Sequence, residues 1–168
     1  MGTKKHKSSG PKKVTVAIIT MSSTRSLPED KSGQWISKQV RKEGHDVVFH
    51  QVIPDISESI RSVVLDVIQE QSPQVILMTG GTGISPKDVT IETLCPLFDK
   101  ELTAFGALFA QLSFEQVDSA ALLSRATAGV IGKTVVFCMP GSLNASKLAL
   151  KELILPELGH LVGHAFEG

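Results

Sequence analysis

The stretch VILMTGGTGISPKDVT, Val75 to Thr90, holds the two features that decide the fold. Val75 to Met78 is an unbroken apolar run, as expected of a strand buried on both faces. Gly80, Gly81 and Gly83 then end it in a loop with almost no side chains, where the backbone can take positive φ and approach a ligand closely. Lys87 and Asp88 follow Pro86, and Asp88 to Phe98 reads as a helix. Strand, bare loop and helix form the repeating unit of an α/β domain.

The same alternation extends in both directions. Val14 to Thr20, VTVAIIT, is a second buried strand. Gly33 to Glu43 reads as a helix ending near Gly44, and Val47 to Val52 as a strand. Ile56, Ile60, Val63, Val64, Val67 and Ile68 recur at helical spacing, and Pro73 closes that helix. Downstream, Thr103 to Phe114 and Asp118 to Ser124 read as helices. Ala126 to Ile131 and Thr134 to Met139 are strands flanking Gly132-Lys133, a hairpin or a tight connection. A helix from Leu143 to Leu155 and a last one from Glu157 to Phe166 complete the chain. The pattern predicts helices on both faces of a mostly parallel sheet, with the hairpin adding one antiparallel strand.

Ligands of such sheets bind beyond the C-terminal strand ends. Three segments leave those ends: TMSSTRS after the first strand, TGGTG after Met78, and MPGSLNAS after the last. All are rich in Gly, Ser and Thr and poor in bulk. In the glycine loop, backbone amides can cup an anion and the Thr79 and Thr82 hydroxyls add donors, although a plain turn has the same composition. Asp55 and Asp88 stand at expected helix starts, where Asp commonly caps; Glu58 completes a D-x-x-E box behind Asp55. Their other role is to hold Mg²⁺ against a polyphosphate, since that ion takes few carboxylates and leaves room for phosphate oxygens. Lys87, Lys147 and Arg125 are nearby candidates for phosphate contacts.

Other chemistries fit poorly. The fingerprint G-x-G-x-x-G fails at Pro86, and GVIGKT, Gly129 to Thr134, places Thr127 where a P-loop needs its first glycine. His160 and His164 are four apart, but no Glu lies in an H-E-x-x-H arrangement and no third ligand is evident. Cys95 and Cys138 form no C-x-x-C pair, which fits a reducing cytosol, with a single disulfide between them left open.

At 168 residues, with 42% apolar and 20% charged residues, the chain suits one globular domain. No apolar run approaches the ~20 residues of a membrane-spanning helix, and the Met1-Gly2 start lacks the hydroxyl residue a myristoylation motif needs, having His6 there. The expected location is the cytoplasm, with no membrane and no nucleic-acid partner: there is no basic stripe with interleaved aromatics, no Tyr, and one Trp. The net charge of zero hides an asymmetry. Met1 to Lys13 holds five lysines and no acid, so the remainder has 12 basic against 17 acidic residues, a balance of −5. Residues 1–13 therefore read as a flexible basic tail and residues 14–168 as a single domain.

The ordered set TMSSTRS…DKSG, Pro54-Asp55, TGGTGISPKDVTIE, FGALFAQLSF, LLSRATAG and MPGSLNASKLAL resembles the molybdenum-cofactor biosynthesis family, which includes molybdopterin adenylyltransferase and cofactor biosynthesis protein B. The resemblance spans Val14 to about Val162, and the long central run is most similar to the protein B branch. It implies a three-layer α/β/α sandwich, assembled as homotrimers or homohexamers. It also implies adenylylation of molybdopterin by Mg-ATP, with release of pyrophosphate. Carried over by position, Asp55 and Asp88 are the catalytic acids and the Mg²⁺ ligands. Thr79, Gly80, Gly81, Thr82 and Gly83 form the phosphate-contacting loop. Pro140, Gly141 and Ser142, with Ser22 and Ser124, form pocket walls for pterin or nucleotide. Ser23 departs from the acidic or amide residue of many members. Some protein B members keep the fold without the activity, so the alternative is a non-catalytic pterin-binding or assembly protein.

Overall fold

The computed structural model describes residues 10–166. Six strands form one sheet in the order β2-β1-β3-β6-β5-β4. They are β1 (Thr15–Met21), β2 (Asp46–Ile53), β3 (Val75–Thr79), β4 (Lys100–Glu101), β5 (Thr127–Ile131) and β6 (Thr134–Met139). The first four in spatial order run parallel, while β5 is antiparallel to both β6 and β4. Among the described residues six α-helices accompany them: α1 (Lys31–Lys42), α2 (Ser57–Gln71), α3 (Thr90–Leu94), α4 (Thr103–Val117), α5 (Leu143–Leu148) and α6 (Leu158–Phe166).

Side chains alternate across a strand, so unbroken apolar runs need a cover on both faces. Val16 and Ile18 of β1, Val75 and Leu77 of β3, and Val135, Phe137 and Met139 of β6 pack with Ile36, Phe109, Leu150 and Val162 from α1, α4 and the C-terminal helices. Their neighbours Ala17, Ile19, Ile76, Met78, Val136 and Cys138 face the other way, onto Ile60, Val64 and Val67 of α2 and Leu94 of α3. The result is the three-layer α/β/α sandwich with a mostly parallel, mixed sheet.

Several boundaries differ from the sequence reading. The expected helix Asp88–Phe98 begins at Thr90 and passes into a 3₁₀ turn, Cys95–Leu97, where Pro96 cannot donate to a continuing α ladder. The helix expected from Leu143 to Leu155 widens into a π-helical stretch at Ala149–Ile154 and then a 3₁₀ turn, Leu155–Glu157, containing Pro156. Strand β4 was not expected; two charged residues offer no periodicity to detect. Asp118–Leu123 is 3₁₀ rather than α. Residues 10–13 of the expected tail run beside the folded body. Gly10 lies so close to Gly159 that a side chain on it would overlap that residue's carbonyl, and Lys13 pairs with Asp46 at 2.9 Å. Residues 1–9 of the expected tail lie outside the described residues.

The chain leaves β1 toward β2 on one side and, after β3, continues toward β4 on the other. The loops after β1 and β3 thus diverge and open a crevice between adjacent strand ends, the switch point at which such sheets take ligands.

Candidate active site

A cleft of about 500 Å³ occupies that switch point. Three loops wall it: Met21 to Arg25 after β1, Gly80 to Gly83 with Lys87 and Asp88 after β3, and Pro140 to Ser142 after β6. Asp55, after β2, and Leu123 complete the wall.

The loop after β3 is built from backbone. Gly80 donates to the Met139 carbonyl (3.0 Å), which ties the loop to β6. The Thr90 hydroxyl donates to the Gly80 carbonyl (2.9 Å) and the Thr90 amide to the Gly81 carbonyl (3.0 Å). Arg125 Nε donates to the Thr82 carbonyl at 2.9 Å. Three successive carbonyls are therefore held by α3 and Arg125. The glycines also make room for the acids. A Cβ on Gly81, whose φ is +64°, would strike the Thr90 hydroxyl and sit 3.2 Å from Asp55 Oδ1; one on Gly83 would lie 2.6 Å from Asp88 Oδ2. The loop is bare because its glycines pack against the Met21 carbonyl, the Thr90 hydroxyl and the two carboxylates.

Neither acid caps a helix. The N-cap of α2 is Ile56, without a side-chain cap bond, and Asp55 instead accepts from the Ser23 hydroxyl at 3.0 Å. Its amide donates back to Ser23 Oγ at 3.3 Å, so Ser23 fixes Asp55 across the cleft floor. The N-cap of α3 is Val89; Asp88 accepts from the Ser85 amide (2.9 Å), inside the turn before the helix. Burial works against charge on Asp88, but the Ser85 hydroxyl and amide, the Gly83 amide and nearby Arg125 outweigh it and hold the carboxyl below its ordinary value.

Of the sequence candidates, Ser22, Gly80, Gly81, Thr82, Gly83, Lys87, Pro140, Gly141, Ser142 and both acids line the cleft. Four do not. Thr79 is fully buried below it, its hydroxyl donating to the Pro140 carbonyl at 3.0 Å, so it shapes the third loop from beneath. Ser124 turns into the preceding 3₁₀ segment, its amide on the Ala121 carbonyl (2.9 Å). Arg125 is spent on Thr82 and on Glu92, 2.7 Å from its Nη2. Lys147 projects from α5 over Trp35, 5.9 Å from the ring centroid, on another face. Sequence reasoning missed Thr24, Arg25 and Leu123 as wall residues. Arg25 was inside the quoted TMSSTRS, where a cation amid hydroxyl residues beyond a strand end was the available signal.

A buried cluster braces the first wall and was also missed. Asp30 is fully buried, accepting from Thr20 Oγ1 (2.7 Å) and the Gly33 amide (2.9 Å), with His50 Nε2 at 3.0 Å. Burial raises the cost of its charge, yet the bonds from His50, Thr20 and Gly33 together hold its pKa below the ordinary value. Ser32, two residues on, donates to the Gly141 carbonyl at 3.0 Å, linking the start of α1 to the third loop.

The wall carries two carboxylates, Asp55 and Asp88, against two cations, Arg25 and Lys87. Side chains alone would leave a bound polyphosphate largely uncompensated. No group of three or more His, Cys, Asp or Glu suited to a metal occurs among the described residues. A pair of carboxylates beside space for phosphate oxygens fits Mg²⁺, which seldom uses a full protein cage. It does not fit structural zinc. Cys95 and Cys138 are free thiols, and burial pushes Cys138 far up from its usual range.

Fold and cleft define a doubly wound α/β domain with a candidate ligand site at the switch point of the sheet. The family model described as a probable molybdopterin binding domain matches residues 17–160, and the chain belongs to that family. Molybdenum cofactor biosynthesis protein B of Bacillus cereus is 46% identical over 162 residues, covering 96% of each chain. Molybdopterin adenylyltransferase of Pyrococcus furiosus is 41% identical over 173 residues, covering 99% of this chain and 100% of its own. A crystal structure of molybdenum cofactor biosynthesis protein B superposes with a TM-score of 0.91 at 45% identity, covering 94% of this chain and 99% of the other. The tungsten cofactor synthesizing protein of P. furiosus superposes with a TM-score of 0.82 at 41% identity, over 94% and 99%. The resemblance read from the loop motifs is borne out.

Proposed function

We propose that this protein is a molybdopterin adenylyltransferase of molybdenum cofactor biosynthesis, acting in the cytoplasm. It moves the adenylyl group of Mg-ATP onto the terminal phosphate of molybdopterin. The observation that carries this reading is the seating of Asp55 and Asp88 on the glycine loop, both released from helix capping and both facing one cleft. The names of the relatives supply the substrate class.

An oxygen of the pterin phosphate attacks the α-phosphorus of ATP. The bond from that phosphorus to the bridging oxygen breaks, and pyrophosphate leaves with the bond's electrons. A phosphate monoester is already mostly ionised near neutral pH, its second pKa being about 6, so the attack needs no general base. The work of the site is positioning and charge compensation. Arg25 and Lys87 bring cationic charge to the cleft, Ser23 orients Asp55, and the Ser85 turn orients Asp88. Asp55 and Asp88 would hold Mg²⁺, which when bound would neutralise phosphate charge and polarise the phosphoryl group.

Self-association as a homotrimer or homohexamer belongs to the same reading. Leu108, Phe114, Leu122 and Leu123 are exposed along α4 and the following 3₁₀ segment, an apolar surface that a second copy would cover. Light scattering that returns three or six chain masses supports it, and a monomer contradicts it.

The reaction is tested by incubating purified protein with molybdopterin, ATP and Mg²⁺ and following both products. Adenylylated pterin and pyrophosphate in equal amounts are expected. Pterin bound without product, beside an active control enzyme, would make this a binding protein.

A further inference from the structure

Arg125 bonds to the glycine loop but does not line the cleft. Its side chain is 35% exposed and its guanidinium is used in two directions. Nε donates to the Thr82 carbonyl at 2.9 Å, and Nη2 meets Glu92 Oε1 of α3 at 2.7 Å. The same short helix supplies Thr90, which holds the Gly80 and Gly81 carbonyls at 2.9 and 3.0 Å. Every carbonyl from Gly80 to Thr82 is thereby bonded to Thr90 or Arg125. These bonds bracket Gly81, which sits against Asp55, and end next to Gly83, which sits against Asp88.

We propose that Arg125 is a positioning residue, acting with Glu92 as a clamp that sets the glycine loop, and through it the two acids, for phosphoryl chemistry. The inference rests on the adenylyl-transfer reading for its kinetic consequence, but the clamp itself is a property of the fold. A planar guanidinium fork is suited to clamping because it reaches a carbonyl and a carboxylate at once in fixed relative directions, whereas a lysine ammonium is a single point of charge. Thr82 is almost fully buried, at 2% exposure, so water is poorly placed to replace the guanidinium on its carbonyl. A charge-assisted bond of this kind corresponds to a factor of roughly ten to a hundred in a local equilibrium.

The test uses the full chain with Arg125→Lys, Glu92→Gln and the double variant. Amide hydrogen exchange across the segment 79–88 is expected to accelerate about tenfold or more in Arg125→Lys. It should accelerate less in Glu92→Gln, and no further in the double variant than in Arg125→Lys alone. Turnover should fall about tenfold in Arg125→Lys although the charge is retained, with the KM for ATP within about threefold, because the loop is displaced without loss of a ligand contact. Coupling between the two sites is the signature of one clamp.

Unchanged exchange in Arg125→Lys would overturn the proposal, as would strictly additive effects of the two substitutions. A large rise in KM with kcat intact would also overturn it, by making Arg125 a direct phosphate ligand. If the wild-type protein transfers no adenylyl group, the functional reading fails, while the exchange comparison still decides whether the clamp exists.

Discussion

The loops after β3 and after β1 wall the same cleft by opposite means. The β3 loop has little side chain and is held at its carbonyls by Thr90 and Arg125. The β1 loop is exposed and held by its own hydroxyls: Ser22 Oγ accepts from the Arg25 amide at 3.1 Å, Ser26 meets Glu29 at 2.7 Å, and Ser23 reaches across to Asp55. One wall is fixed backbone and the other is a set of adjustable polar side chains over a buried anchor, Asp30. Asp55 and Asp88 sit against the backbone-held wall, which under the proposed function would keep them fixed relative to phosphate.

Substitution at the rigid wall should have the largest effect. Gly81→Val places a branched side chain at φ +64° against Thr90 and Asp55. The left-handed backbone costs about 1–2 kcal/mol and the overlap about 1–3 kcal/mol more. Thermal unfolding should shift down accordingly, with activity lost even in protein that folds. A variant of wild-type stability and rate would show that the loop is not rigid.

Next comes the anchor beneath the adjustable wall. Asp30→Asn should cost about 2 kcal/mol at neutral pH, through weakened bonds to a buried charge. Because the folded state depresses the Asp30 pKa below its ordinary 3.8, the stabilisation is present above that value and is lost as pH falls through the folded pKa. The stability gap between wild type and variant should therefore be full at pH 7 and shrink on acidification below about pH 4. A gap independent of pH would mean that the contribution of Asp30 is not ionic.

The smallest effect belongs to the adjustable wall itself. Ser23→Ala removes two exposed hydrogen bonds, one to the Asp55 carboxylate and one from its amide, together worth about 1 kcal/mol. Turnover should drop only a few-fold, with the unfolding temperature nearly unchanged. A drop beyond a hundredfold would place Ser23 in direct contact with substrate.

The sheet and the three loops were legible in the sequence because buried strands leave unbroken apolar runs and small residues mark the strand ends. The seating of the acids was not. Asp55 and Asp88 carry the spacing of helix caps, and only the fold shows that the capping positions fall on the residues that follow them, Ile56 and Val89. Lys147 is near the third loop in sequence, but the phase of α5 carries it to Trp35. Asp30 and Arg125 depend on partners at Thr20, His50, Thr82 and Glu92 that no local pattern predicts.

The central claim is that Asp55 and Asp88 are a chemical pair and not two helix caps. It is tested most directly by following pyrophosphate release from ATP and molybdopterin with wild type, Asp55→Asn and Asp88→Asn in parallel. Each variant should lose roughly a hundredfold or more in turnover, on the scale of removing a charge-stabilising group, while pterin binding and the unfolding temperature stay close to wild type. Turnover at the wild-type rate in either variant would contradict the account.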